Sequence, residues 1–184
     1  MDKGAEYYRC FLNGDREALV EIIRIYRDGM ILFAESIVND ITIAEEVVQE
    51  VFIKLVVKKP KYSEKSSFKT WLYTICRNTA IDFLRKIKRR READTDELCD
   101  LADETDLEQD YIKEEQCRIV HRAMKRLRID YCQVLQLIYI EGFDNSAAAS
   151  VMKKSNRQIE NLIYRAKKAL KSELEKEGVV YEKL

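Results

Sequence analysis

The sequence predicts an all-α protein with two small helical domains joined by an acidic flexible linker, the C-terminal domain being a helix-turn-helix. Only five glycines and one proline among 184 residues leave little material for the turns of a many-stranded sheet. Apolar residues recur at helical spacing in both halves of the chain. Between the halves, six of the seven residues at 85–91 are basic, and residues 92–110 then carry ten acidic and no basic residues.

This charge pattern sets the expected domain boundaries. An acidic run of this length cannot bury enough apolar surface to offset its ordering entropy, and its like charges extend it. We therefore expect an N-terminal domain at 1–91, a linker at 92–112 and a C-terminal domain at 113–184. The formal net charge of zero is a sum of opposed blocks, and the basic blocks should still attract polyanions locally.

The composition also argues against several classes of function. The five cysteines are odd in number and form no CxxC pair, and the chain has one histidine, so we expect neither a metal site nor a disulfide framework. No apolar run approaches the roughly 20 residues of a membrane span, and MDKGAEYYRC lacks the apolar core of a signal peptide. We expect a cytoplasmic protein. With no catalytic constellation or phosphate-binding glycine loop, we expect no enzyme, no cofactor and no small-molecule substrate.

Two helices are predicted first. Residues 15–38 have helical apolar spacing, with a possible break at Asp28-Gly29. Residues 39–56 follow, and Thr42 and Glu45 fit a capping box. The face opposite the apolar stripe of this second helix is either a solvated acidic face or a docking face for a partner. Its residues are Glu46, Gln49, Glu50 and Ile53.

The next helix, residues 66–91, reads SSFKTWLYTICRNTAIDFLRKIKRRR, with Ser66 or Ser67 as N-cap. Its apolar stripe includes Phe68, while Trp71 lies at the border of that stripe. Aromatic side chains beside a basic track are typical of single-stranded nucleic-acid binding, although a partly buried core aromatic is the simpler interpretation of the tryptophan. The polar residues expected to be exposed are Lys69, Tyr73, Arg77, Asn78, Arg85 and Lys88.

The C-terminal half has a helix-turn-helix pattern. Asn145 or Ser146 begins a short alanine-rich helix, a turn falls at Lys153-Lys154, and Ser155 caps a longer helix. Arginine, asparagine and glutamine at the start of a recognition helix read base edges in the major groove, although a plain pair of packed helices gives a similar pattern. The outward residues that we single out are Asn156, Arg157, Gln158, Asn161, Arg165 and Lys168.

In this order, the motifs resemble a bacterial RNA polymerase sigma factor of the extracytoplasmic-function (ECF) type. They are DITIAEEVVQEVFIKL at 40–55, SFKTWLYTICRNTAIDFLR at 67–85 and RQIENLIYRAKKAL at 157–170. The resemblance implies an alternative sigma factor whose partners are core RNA polymerase, promoter DNA in duplex and melted form, and an anti-sigma factor linked to the membrane. The acidic segment matches the one that, in the family, threads toward the polymerase active-site and RNA-exit path.

The resemblance also assigns site residues. Polymerase binding is implied for Asp40, Glu45, Glu46, Gln49 and Glu50, to which the docking face adds Ile53. The loop and helix from Lys61 to Arg91 match the part that captures melted bases of the −10 element, and the −10 contacts that we expect are Tyr62, Phe68, Lys69, Trp71, Tyr73, Arg77, Asn78, Arg85, Lys88 and Arg89. The −35 element would be read by Ser155, Asn156, Arg157, Gln158, Asn161, Arg165 and Lys168.

Some positions depart from the family pattern. Ala147-Ala148-Ala149 stands where the family usually has Glu-Ile-Ala, Lys153 replaces the usual turn glycine, and Leu127-Arg128 replaces Leu-Pro. These differences affect the expected −35 contacts more than the −10 region. We also expect the acidic linker to cover the basic faces of the free protein and to weaken DNA binding without polymerase.

Two other functions fit parts of the sequence. A stand-alone helix-turn-helix regulator would bind duplex DNA without polymerase and would use the face at residues 46–53 for dimerisation. A helical adaptor without a nucleic-acid role fits the helices, but RKIKRRR and RQIENLIYRAKK argue against it.

Overall fold

The computed structural model describes residues 2–93 and 113–177, with side chains described at 2–90 and 118–177. The predicted linker at 92–112 therefore lies almost entirely outside the described residues. All regular structure in the described ranges is helical, as predicted. The N-terminal half has α1 (Lys3–Leu12), α2 (Arg16–Val38), α3 (Ile41–Lys58) and α4 (Phe68–Ala93). The C-terminal half has α5 (Lys113–Lys125), α6 (Ile129–Leu135), a π-helix (Gln136–Ile140), α7 (Asn145–Met152) and α8 (Asn156–Lys176).

Side-chain caps fix several helix starts. Asp40 caps α3 by accepting a hydrogen bond from the backbone N–H of Ile43 at 2.9 Å, so the capping box predicted at Thr42 and Glu45 is wrong. Ser67 accepts from the N–H of Thr70 at 3.1 Å at the start of α4, as predicted. Each cap satisfies a backbone donor that the first helical turn leaves unpaired.

The helix α2 continues through Asp28-Gly29, so the break predicted there is wrong. Gly29 serves close packing instead. A Cβ atom at this position would lie 2.6 Å from both Oε1 of Glu141 and the hydroxyl of Tyr73. The residue is glycine because side chains from α4 and from the C-terminal half approach the backbone of α2 there.

The N-terminal half packs α2 against α1, α3 and α4. The predicted core stripe of α3 is confirmed, because all six of its residues are buried: Ala44, Val47, Val48, Val51, Phe52 and Leu55. At the other end of α3, Lys59 adopts a left-handed conformation with φ 41° and ends the helix. This arrangement leaves the polar face of α3 on the surface.

The C-terminal half confirms the predicted helix-turn-helix. The turn residue Lys153 has φ 54° and ends α7, and Ser155 begins α8 with a capping box that pairs it with Gln158. Ala148 and Ala149 are buried, and such small side chains let α7 lie close to α8. The short helix begins at Asn145, as predicted, and Asp144 is its N-cap.

The two halves contact each other. The helix α6 and the π-helix pack on α2, and α7 packs on α4. Buried apolar residues of both halves belong to one continuous hydrophobic cluster. The contact covers one face of α4, and this determines which predicted site residues are accessible.

Candidate protein- and nucleic-acid-binding surfaces

A shallow groove runs between α2 and α3 at the predicted docking face. Val48 and Phe52 form its buried floor, and Ile53 is 53% exposed at its edge. The other residues that line it are Ile23, Arg27, Ile31, Glu45 and Gln49. An apolar floor with a polar rim is suited to a helix from another protein that places an apolar residue between two helices.

The acidic residues around this groove differ in exposure and in their ion pairs. Glu45 and Glu46 are exposed, whereas Glu50 is half-buried. The carboxylate of Glu45 lies 3.8 Å from the guanidinium of Arg27, and that of Glu50 lies 3.7 Å from the ammonium group of Lys54. Asp40 is already engaged as the N-cap of α3. The structure therefore brings Glu45, Gln49 and Ile53 together at one groove and places Asp40 in a structural role at the start of the helix.

Four aromatic rings cluster where the loop at 59–67 meets α4. The ring centroids of Tyr62 and Trp71 are 5.3 Å apart, and both rings contact Phe68 at 5.6 and 5.4 Å. The ring of Tyr8 lies 5.3 Å from that of Trp71. Tyr62 and Trp71 are half-buried, whereas Phe68 is fully buried. The rings of Tyr62 and Trp71 are therefore partly accessible to solvent, while Phe68 packs beneath them.

The helix α1, which sequence reasoning missed, holds this loop in place. Asp2 caps α1 with one carboxylate oxygen and accepts a hydrogen bond from the N–H of Phe68 at 2.6 Å with the other. The hydroxyl of Tyr8 donates to the carbonyl oxygen of Pro60 at 2.8 Å. Burial raises the pKa of Tyr8 to about 12, so it stays a neutral donor at physiological pH. The spacing of Ala5, Tyr8 and Phe11 was the available signal for this helix.

A polar groove lies between α1 and the loop. Its floor includes the ring of Tyr62, whose hydroxyl donates to the carbonyl of Ser66 at 2.5 Å. The charged and hydroxyl-bearing side chains around it are Asp2, Arg9, Glu64, Ser66 and Ser67. An aromatic surface beside an arginine and several hydrogen-bonding groups has the chemistry to hold an unstacked nucleotide.

The helix α4 does not expose all of its predicted residues. Tyr73 is fully buried, so the prediction that it is exposed is wrong; its ring packs against Phe33 at 5.3 Å and against Phe143 of the C-terminal half at 5.1 Å. Phe68 is also buried, as the apolar stripe predicted. Along the rest of the helix, the predicted site residues that are exposed are Arg85, Lys88 and Arg89.

Two further predicted −10 residues on α4 are engaged by the C-terminal half. The ammonium group of Lys69 lies 3.0 Å from the carboxylate of Glu141, and the Nε–H of Arg77 donates to the side-chain oxygen of Gln133 at 2.9 Å. Partial burial lowers the pKa of Arg77 from its usual value. Asn78 is half-buried on the same helix. The contact with the C-terminal half thus involves predicted −10 residues in the first turns of α4.

The predicted recognition helix α8 presents its residues to solvent. Ile159, Leu162 and Ala166 are buried, and this fixes which side of the helix faces out. All seven residues predicted for the −35 surface are exposed: Ser155, Asn156, Arg157, Gln158, Asn161, Arg165 and Lys168. This is the accessibility that a helix needs to enter a major groove.

Within the described parts of the chain, no group of three or more histidine, cysteine or acidic side chains is placed to hold a metal ion. Over the same residues, each helix is too short or too polar to cross a bilayer.

Comparison with known families identifies the class of protein. Residues 22–91 match the model of sigma-70 region 2, and residues 117–170 match that of sigma-70 region 4. The two matches together span more than half of the chain, in the order that the sequence predicted. The chain belongs to the sigma-70 family of RNA polymerase sigma factors and is of the ECF type.

Individual relatives are consistent with this. The chain is 28% identical to the ECF RNA polymerase sigma factor SigM of Bacillus subtilis (strain 168) over 155 residues, covering 83% of this chain and 92% of SigM. It is 27% identical to SigX of the same organism over 160 residues, covering 82% of this chain and 80% of SigX.

Two solved structures of protein complexes have the same fold. The sigma factor RpoE bound to the anti-sigma factor NepR from Bartonella quintana has a TM-score of 0.67 at 22% identity, covering 84% of this chain and 95% of RpoE. CnrH in complex with the cytosolic domain of CnrY has a TM-score of 0.65 at 22% identity, covering 95% of this chain and 97% of CnrH.

Proposed function

We propose that this protein is an alternative sigma factor that binds core RNA polymerase and directs promoter-specific initiation through −10 and −35 elements. The observation that supports this most is that one chain combines an apolar-floored groove between α2 and α3, a loop with partly exposed aromatic rings and an exposed helix-turn-helix, in the order of sigma-70 regions 2 and 4. Polymerase supplies the chemistry, and this chain supplies the choice of start site. We place that activity in the cytoplasm.

Polymerase would bind at the groove between α2 and α3. Ile53 is the apolar anchor, and Glu46 and Gln49 are accessible polar neighbours on the same face of the helix. Anchors of this kind provide most of the binding energy when they enter a well-packed pocket. Glu45 and Glu50 tune the charge of this surface, and Asp40 supports it by capping α3.

The −10 element would be opened and held at the aromatic loop. Strand separation costs unstacking energy, and stacking of an extruded base on Tyr62 and Trp71 offsets part of it at roughly 1–3 kcal/mol per base. Arg85, Lys88 and Arg89 are exposed toward the C-terminal end of α4 and are suited to phosphate contacts. In this assignment Phe68 positions the rings and does not itself contact DNA.

The −35 element would be read in duplex form by α8. Arg157, Gln158 and Asn161 lie in the exposed first turns, where side chains reach base edges, and Arg165 and Lys168 follow at positions suited to phosphates. The division into domains at 1–91 and 113–184, joined by an acidic linker, is part of this proposal. So is an anti-sigma partner, as in the complex of RpoE with NepR.

Transcription by sigma-free core polymerase tests the proposal. Sheared genomic DNA from the source organism is transcribed with and without this protein, and RNA 5′ ends are mapped. We expect discrete protein-dependent start sites that share two upstream elements about two helical turns apart. An absence of both new start sites and core binding would support the stand-alone regulator. That regulator would also run as a dimer in size-exclusion chromatography at micromolar concentration.

A further inference from the structure

The helix α8 carries a carboxylate among the residues proposed to face duplex DNA. Glu160 is exposed, and so are Arg157, Asn161 and Tyr164. These four positions are spaced i, i+3, i+4 and i+7, so their side chains share one face of the helix. Ile159 is fully buried on the side that packs into the domain. Glu160 therefore lies beside two of the residues proposed to read the −35 element.

The later acidic side chains of α8 are paired, and that of Glu160 is not. Oε1 of Glu173 lies 2.6 Å from the ammonium group of Lys176, and Oε1 of Glu175 lies 4.0 Å from that of Lys171. Among the side chains that the structure describes, none forms an ion pair or a hydrogen bond with the carboxylate of Glu160. This carboxylate is directed to solvent alone.

Stabilisation of the helix does not account for Glu160. An acidic side chain gains from the helix macrodipole within the first turn, and Glu160 is the fifth residue of α8, which begins at Asn156. The partner available at i, i+3 spacing is Arg157, and the two side chains form no ion pair. The carboxylate is therefore available to a ligand.

A carboxylate at this position weakens DNA binding unless the DNA compensates for it. It shares the exposed surface of α8 with Arg165 and Lys168, and it repels the phosphates that these two side chains attract. An ionised carboxylate accepts hydrogen bonds and donates none, so compensation requires a donor on the DNA. In the major groove such donors belong to the bases, since phosphate oxygens are acceptors.

Cytosine presents the best donor of the four bases. The major-groove edge of cytosine carries the N4 amino group, whereas the N6 amino group of adenine is accompanied by the acceptor N7. Guanine and thymine present acceptors, which would face the carboxylate unpaired. We propose that Glu160 is a specificity-determining residue of the −35 surface, and that its carboxylate selects cytosine by accepting a hydrogen bond from N4. The inference rests on the proposed function and adds a base preference to it.

A promoter library transcribed by the complete holoenzyme tests this selection. A promoter found by start-site mapping with the wild-type protein has its −35 element randomised, and the templates that yield RNA are sequenced. Core polymerase is combined with the wild type, Glu160→Gln or Glu160→Arg. Glu175→Gln is the matched control, because Glu175 is exposed on the same helix about four turns later and its replacement changes the net charge by the same amount as Glu160→Gln.

The wild type and the control should require cytosine at one position of the element. Each other base at that position should lower the RNA yield about tenfold, as a difference of about 1.4 kcal/mol in binding gives. Glu160→Gln should lose this requirement and favour adenine at the same position, since an amide pairs with N6 and N7 of adenine. Glu160→Arg should favour guanine there. The other positions should keep the preferences of the wild type in every variant.

Two results would overturn the proposal. One is a cytosine requirement that survives in both Glu160 variants or is absent from the wild type. The other is an even change in RNA yield over all templates, which would show that Glu160 only repels phosphates. If the wild-type protein and core polymerase give no start sites, the proposed function fails and this inference fails with it. Start sites with unaltered base preferences would refute the role of Glu160 and leave the sigma function standing.

Discussion

The ammonium group of Lys125 on α5 lies 3.2 Å from Oε1 of Glu35 on α2, and this ion pair joins the two halves at a second point. Nε2 of His121 lies 3.4 Å from the same oxygen. Burial alone would raise the pKa of Glu35, but the hydrogen bonds and charges of His121 and Lys125 outweigh it and lower that pKa below its ordinary value of 4.5. The ionised carboxylate therefore stabilises the contact between the halves.

This pair predicts a pH dependence of stability. Because the pKa of Glu35 is lower in the folded state, its contribution is present above about pH 4.5 and is lost as the pH falls through the depressed pKa. Glu35→Gln should lower the free energy of unfolding by about 1 kcal/mol at neutral pH, a modest value because Lys125 and His121 are half-exposed. When urea unfolding is measured from about pH 7 to about pH 3, the free energy of unfolding of the wild type should approach that of the variant at the lowest pH. A constant difference across this range would contradict the assignment.

Replacement of Ile53 by a charged residue should weaken polymerase binding specifically. The side chain of Ile53 is 53% exposed at the docking groove, so Ile53→Glu should leave the melting temperature nearly unchanged while placing a charge where an apolar anchor is needed. We expect core binding to weaken by about tenfold or more, measured by competition against a labelled sigma factor. Leu32→Glu is the control, because Leu32 is 45% exposed on α2 and does not line the groove. Equal losses in the two variants would argue against the groove.

Tyr8 predicts that α1 contributes to DNA binding indirectly. Tyr8→Phe keeps the ring in the aromatic cluster but removes the hydrogen bond to the carbonyl of Pro60, at a cost of about 1 kcal/mol. We expect faster amide hydrogen exchange at residues 59–67 and weaker single-strand binding, with duplex binding to the −35 element retained. Tyr7→Phe is the control, because it makes the same chemical change at a half-buried position on the same helix. It should leave hydrogen exchange at residues 59–67 and single-strand binding unchanged. An equal loss on single-stranded and duplex DNA would indicate a general loss of folding instead.

Replacement of Lys153 by glycine should stabilise the protein. The φ of Lys153, 54°, is a left-handed conformation in which a side chain costs about 1 kcal/mol relative to glycine. Lys153→Gly should raise the free energy of unfolding by about that amount without changing the exposure of α8. Lys154→Gly, one residue later and outside the set of positive-φ positions, should lower it. Calorimetry of the two variants distinguishes relief of strain from a simple loss of positive charge.

Local rules predicted much of this fold correctly. The stripe of α3 and the cap at Ser155 depend on residues three or four positions apart, and both are confirmed. Where two local signals competed, the prediction failed. Asp40 is the N-cap of α3 instead of the predicted Thr42, because the carboxylate of Asp40 accepts a hydrogen bond from the N–H of Ile43.

The site residues were harder to predict because their environment is set by distant parts of the chain. Periodicity placed Tyr73 outside the apolar stripe of α4, but Phe33 of α2 packs on one side of its ring, and Phe143 and Glu141, about seventy residues away, cover the other. The same distant approach explains Gly29, which local sequence suggested as a helix break. Accessibility of α8 was predictable, since its buried face is set by its own apolar residues.

The π-helix that precedes Glu141 determines the direction in which the side chain of Glu141 points. In it the N–H of Glu141 bonds to the carbonyl of Gln136, five residues back, where an α-helix would bond four residues back. Such a widened turn is what a one-residue insertion leaves in an α-helix, and each residue turns the helix by about 100°. Deleting one residue between Gln136 and Ile140 would rotate Glu141 away from Lys69 and Tyr73. The extra residue of the widened turn is therefore what directs this carboxylate toward α4.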